Sequence, residues 1–265
     1  MSSVEVGRDG PRGWIELNRP EKLNPLGEGT LEELIRAARW LDDQEGVKVV
    51  VVSGRGRAFS AGADIAAFGP GSQAEGTASA SGGAASSRRA ADAGRRMAEA
   101  VEAMRAVTVA RIHGHCVGGA LVLASACDLR VAASDTRFSI PELALGIPLA
   151  WGGIPRLVRE IGPALTKELV MTCRPFSAAE AAAAGFVNRV TEPDRLDDEV
   201  ESLVADLVAR SALTLQATKV HVNAVSAGMV GTARAWNDAD SLVTALRDPD
   251  SRATAAAYLE RVRRR

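Results

Sequence analysis

Aromatic residues are scarce in this chain. Four tryptophans, five phenylalanines and one tyrosine amount to 4% of 265 residues. Since hydrophobic residues still make up 46%, the core must rest on alanine, valine, leucine and isoleucine. Cysteine is equally sparse. Cys116, Cys127 and Cys173 are scattered and form no CxxC pair, too few for a disulfide framework. They read as small apolar residues in a reducing compartment. Charge of one sign is absent too. Lys and Arg number 32 against 33 Asp and Glu, for a net charge of −1, so nothing favours nucleic acid or a membrane surface as partner. The basic tail RVRRR reads as a solvated helix end. No run approaches the ~20 apolar residues of a membrane span. MSSVEVGRDG at the N-terminus has no apolar stretch of signal-peptide length. A cytoplasmic, non-membrane protein is expected, as one large domain or a domain with an appendage.

What is present alternates. Residues 4–6 and 12–17 (RGWIEL) read as short strands around Gly10-Pro11. The loop NRPEKLNPL follows, and its two prolines bar it from a central strand. Leu31, Leu34, Ile35, Ala38 and Leu41 recur at helical spacing over residues 30–41. The run 47–52 is β-branched and apolar on both faces, as suits a buried parallel strand. A glycine-rich turn then leads to a helix at about Asp64. Residues 69–87 (GPGSQAEGTASASGGAASS) lack periodicity and are expected to form a loop. A helix over 88–104 and a strand over 107–112 come next. Beyond Pro155 helical patterns dominate: 154–160, 163–172, 178–184 closed by Gly185, 194–211, 212–228, 232–245 and 249–263, with 186–190 as a short strand or extended link. Strands alternating with helices, followed by a helical third, indicate an α/β core over 1–195 and a helical region over 196–265.

Two turns share one design, a buried strand passing through small residues into a helix: VVVVSGRGRAFSAGAD and VARIHGHCVGGALVLASACD. Small residues let a ligand approach the backbone, and a helix start offers free N–H groups and partial positive charge. Two such turns on adjacent strands could share one carbonyl oxygen; they could equally be plain strand–helix turns. Downstream, Glu142 stands between Pro141 and Leu143 in otherwise apolar sequence. A desolvated carboxylate has a raised pKa and suits proton transfer.

Taken together, LNRPEKLNPL, SAGAD (60–64), HGHCVGGALVLASACD (113–128), FSIPELALGI (138–147) and FSAAEAAAAGFVNRV (176–190) resemble the enoyl-CoA hydratase/isomerase, or crotonase, family over nearly the whole chain. The resemblance implies a spiral of ββα units with a helical C-terminal trimerisation region. It also implies acyl-CoA thioester substrates, no tightly bound cofactor beyond the coenzyme A of the substrate, and a homotrimer or dimer of trimers. By position, Ala63 and Gly119 would give backbone N–H groups to the thioester oxygen, with Gly118 beside them. Ser60, Ala61, Asp64 and Ile65 would neighbour coenzyme A, Lys22 and Arg57 would meet its phosphates, and Tyr258 would be an aromatic contact.

Glu142 matches the second of two glutamates found in typical hydratases. The position of the first is Val122, which can neither hold water nor move a proton. A single carboxylate suffices to shuttle a proton between two carbons, so double-bond isomerisation is favoured; hydration with one glutamate, or a thioester-binding protein without catalysis, are the alternatives. Ala150 stands where family hydrolases and dehalogenases place an aspartate. Trp151 beside it either lines the acyl pocket or packs in the core. Ser60, His113 or His115 and Asp128 could be drawn as a hydrolase triad, although AFSAG lacks the first glycine of GxSxG. His113-Gly-His115 has no acidic or cysteine cluster to complete a metal site.

Overall fold

The structure, a computed structural model, describes residues 2–64, 84–235 and 237–264. Its centre is a six-stranded sheet: β1 (Val4–Asp9), β2 (Arg12–Leu17), β3 (Val49–Gly54), β4 (Val107–Ile112), β6 (Leu129–Ala133) and β9 (Arg189–Thr191), side by side in that order. β1 and β2 form an antiparallel hairpin, and every later pairing is parallel. A smaller sheet joins β5 (His115–Val117), β7 (Arg137–Ser139) and β8 (Phe176–Ser177). These three strands of two or three residues are too short to carry a readable period.

The four consecutive valines of β3 explain themselves in this setting. Val50 and Val52 face the main core, while Val49 and Val51 face a second layer with Leu196, Val200, Leu203 and Val204. A parallel strand covered on both faces needs apolar residues at every position. The main core is closed by α1 (Glu28–Asp42), α3 (Ala93–Glu102) and α4 (Gly119–Ala126), and the other face by α7 (Leu196–Val208). Between them lie α2 (Ala84–Ala91), α5 (Gly153–Thr172) and α6 (Ala178–Ala183). The helices α8 (Ala212–Met229), α9 (Asp238–Ala245) and α10 (Pro249–Arg263) end the chain.

Several boundaries differ from the expected ones. The helix expected over 88–104 is two, α2 and α3, parted at Asp92, whose carboxylate holds Arg95. The helix expected at about Asp64, and the expected loop up to residue 83, lie outside the described residues; residues 84–87 belong to α2 rather than to a loop. The helix expected over 232–245 is a short 3-10 turn (Thr232–Ala235) followed by α9. The two helices expected over 154–172 are one interrupted element, α5, with Gly162 at φ 75° and Pro163 after it. Proline lacks the N–H and crowds the preceding turn.

α8 lies on the core with little of its surface covered. Of its eighteen residues only Lys219 is buried, and its ammonium meets the Asp128 carboxylate at 2.8 Å and the Ala106 carbonyl at 2.9 Å. Among the described residues no helix is long and apolar enough to cross a membrane.

Candidate active site

The first turn leaves β3 at Gly54 and is fastened by Asn24. That side chain is buried, and its amide donates to the carbonyls of Arg55, Ala58 and Phe59 at 2.9, 2.9 and 3.3 Å. The Ser60 hydroxyl donates to the Asn24 carbonyl at 2.7 Å and accepts from the Gly62 N–H at 3.0 Å. Ser60, fully buried, is thus an internal brace whose hydroxyl is already committed. Ala63 comes next, half-buried, bridging Leu26 across a short parallel contact.

The second turn runs from β5 into α4. Gly118 has φ 52° and ψ −118°, a conformation that disfavours side chains. Its N–H donates to the Ser139 carbonyl at 2.8 Å. The two turns touch: Ser60 bridges Cys116, and a Cβ placed on Gly62 would stand 2.3 Å from the Val117 oxygen and 3.5 Å from the Gly119 nitrogen. Among the described residues, neither the Ala63 nor the Gly119 N–H donates to a protein acceptor. At Gly119 this follows from position, since the first N–H groups of a helix have no intrahelical partner.

Glu142 closes the arrangement. The β7–Pro141 segment carries it back over the second turn, so a Cβ on Gly118 would lie 2.3 Å from Glu142 Oε1. The residue is 8% exposed and its Oε2 has no hydrogen-bond partner. Burial pushes its pKa up to about 7. The carboxyl group therefore sits against Gly118 of the second turn, close to balance between its two protonation states at neutral pH. Val122, one turn further along α4, is buried and packs against Gly153. No second carboxylate occupies that position.

Residues 13–264 match the profile of the family described as Enoyl-CoA hydratase/isomerase. The chain belongs to this family. It is 32% identical over 210 residues, 79% of this chain and 76% of the relative, to the crotonyl-CoA hydratase of Syntrophomonas wolfei. It is 30% identical over 210 residues, 78% of this chain and 64% of the relative, to the mitochondrial Delta(3,5)-Delta(2,4)-dienoyl-CoA isomerase of Mus musculus. A crystal structure of an enoyl-CoA hydratase/isomerase from Mycobacterium paratuberculosis superposes with a TM-score of 0.83 at 26% identity, covering 97% of this chain and 98% of that one. The fold is accordingly the crotonase α/β fold with a helical C-terminal region, and the protein is an acyl-CoA enzyme of the hydratase/isomerase family.

Within this family fold the remaining expected residues are dispersed. Gly118 and Gly119 are buried and Ala61 is half-buried near the first turn, its N–H donating to the Leu23 carbonyl. Lys22 and Arg57 are exposed, and Asp64 lies 3.7 Å from Arg19. Ile65 lies outside the described residues. Tyr258 packs in a small cluster with Leu145, Ile147, Ala150 and Leu242, with the Arg261 guanidinium 5.5 Å from its ring centre. Trp151 lies against both that cluster and the main core.

The hydrolase triad does not assemble. His113 Nε2 donates to the Gly56 carbonyl at 2.7 Å and Nδ1 accepts from Arg111, while burial lowers its pKa, so it is held neutral. Asp128 is engaged by Thr108 and Lys219. Among the described residues no group of three acidic, histidine or cysteine side chains could hold a metal. Three residues near the site were missed in the sequence: Asn24, Gly94, which abuts the Trp151 ring, and Asp238, which accepts from the Gly152 N–H. Gly94, a helix-weakening residue inside an amphipathic pattern, carried the one available signal.

Proposed function

We propose that the enzyme shifts a double bond in enoyl-CoA thioesters with Glu142 as its single acid/base. The backbone N–H groups of Ala63 and Gly119 receive the thioester oxygen. The Glu142 carboxylate takes a proton from the carbon beside the thioester, the electron pair moves onto that oxygen, and the N–H groups stabilise the resulting dienolate. Glu142 then returns the proton at the far end of the former double bond. Each oriented N–H of this kind is worth about 2.7–4 kcal/mol in the barrier. The observation that carries the reading is the buried, partnerless Glu142 Oε2 beside Gly118, with valine in place of a second acid.

A second reading is hydration through the same glutamate, supported by the relative named crotonyl-CoA hydratase. Incubation with 2-enoyl- and 3-enoyl-CoA thioesters, with products separated by chromatography, distinguishes them. Conversion of the 3-enoyl to the 2-enoyl thioester supports isomerisation, and a 3-hydroxyacyl product supports hydration. Thioester binding with neither product nor solvent-deuterium exchange beside the thioester would leave a binding protein without catalysis. Full activity of Glu142→Gln would remove Glu142 from the mechanism.

The assembly we infer is the family's homotrimer or dimer of trimers. Its support is α8, which leaves Leu213, Val220, Val222, Val225 and Met229 exposed, an apolar surface that a monomer rarely keeps open. Sedimentation of a 27.7 kDa chain as three or six copies is the expected result, and a monomer at working concentration would overturn it.

A further inference from the structure

Trp151 is held at the site by contacts from several segments. A Cβ on Gly94 of α3 would stand 1.9 Å from the indole Cδ2, and one on Gly119 would stand 2.3 Å from Cζ3. The ring thus rests on one glycine and presents its benzo edge to the glycine whose N–H is free. Its own backbone is unusual for a bulky residue, at φ 63°, a conformation that persists only when surroundings impose it. Those surroundings act on the next residue. The Gly152 N–H donates to Asp238 Oδ2 at 2.8 Å, and the Gly152 carbonyl accepts from the fully buried Arg156 at 3.2 Å. Arg156 is itself ion-paired with Glu102 of α3, which also receives Arg159.

The consequence is spatial. An acyl group whose thioester oxygen sat on the Gly119 N–H would have the indole's benzo edge beside it, at the seam between the main core and the cluster of Leu145, Ile147, Ala150 and Leu242. Trp151 occupies that seam while keeping part of its surface open. A long flexible chain needs the space that the ring takes. A flat aromatic acyl group can instead pack on it.

We propose that Trp151 sets the acyl specificity of the site, admitting short and flat aromatic acyl groups and turning away long straight chains. Asp238, through Gly152, is its positioning residue. This rests on the oxygen site proposed above. The test compares crotonyl-, cinnamoyl- and trans-2-dodecenoyl-CoA by kcat/KM and, independently of turnover, by dissociation constants. The wild type is expected to disfavour the dodecenoyl thioester by about tenfold or more, and Trp151→Ala to abolish that preference. Asp238→Ala should shift the ranking in the same direction, and Asp238→Asn, which keeps an oxygen for the Gly152 N–H, should restore it. An unchanged ranking in a Trp151→Ala protein with wild-type circular dichroism would overturn the proposal. If the wild type turned over none of the thioesters yet ranked them in binding as stated, the proposed reaction would fall and the role of Trp151 would stand.

Discussion

The two turns that meet at the site are alike in sequence and unlike in how they are held. The first is fastened by side-chain hydrogen bonds: Asn24 spans three carbonyls, and Ser60 ties Gly62 to Asn24. The second is fastened by shape. Gly118 and Gly119 have no side chains because Glu142 and Trp151 occupy that space. The difference teaches where damage goes. In the first turn a substitution orphans buried polar groups and costs stability. In the second it collides with Glu142 or Trp151, the groups proposed to face substrate, and should cost activity.

The largest expected effect breaks the second turn's chemistry alone. Glu142→Gln keeps the side-chain volume and should lower kcat by about 10²–10⁴-fold with the fold intact, read by thioester assay beside a thermal melt. Next is Gly119→Ala. Its added methyl would lie 2.3 Å from Trp151, and displacement of one N–H donor should lower kcat by about 10²–10³-fold. Trp151→Ala in the same chain removes the collision, and failure of the double variant to recover any melting temperature would contradict the steric account. Asn24→Ala breaks the first turn instead, leaving three carbonyls, two of them buried, short of a donor. A loss of about 3 kcal/mol in chemical denaturation is expected, whereas Glu142→Gln should not lower stability at neutral pH.

The last effect is a pH dependence. Glu142 titrates from about 4.5 when free and about 7 when folded, so the folded chain binds the extra proton between those values. Its contribution to stability is therefore greatest below pH ~4.5, falls as pH rises to ~7, and is level above. The difference in unfolding free energy between wild type and Glu142→Gln should change by roughly 3 kcal/mol across that window. A flat difference would mean that the carboxyl group is better solvated than its partnerless Oε2 implies. Activity is expected to run the opposite way, rising through pH ~7 as the carboxylate forms.

Much of this is legible in the residues themselves. The four valines of β3, the helical spacing of Leu31 to Leu41, and a lone glutamate in PEL each carry their environment in local pattern, because burial on two faces, one face or none imposes a different period. The motif order placed the chain in its family, and Val122 marked the missing acid. The short strands of the second sheet and the breaks at Asp92 and residue 237 were not legible, since two or three residues hold no period.

An aliphatic α/β chain, two glycine-rich turns and a carboxylate set in apolar residues are written in the amino acids alone. That Gly62 abuts Gly119, that Glu142 rests on Gly118, and that Gly94, Trp151 and Asp238 converge beside them emerges only in the folded chain. The physical reason is separation along the chain. Local propensity acts over a few residues, whereas these contacts join segments dozens of residues apart and exist only once the sheet has brought its strand ends together.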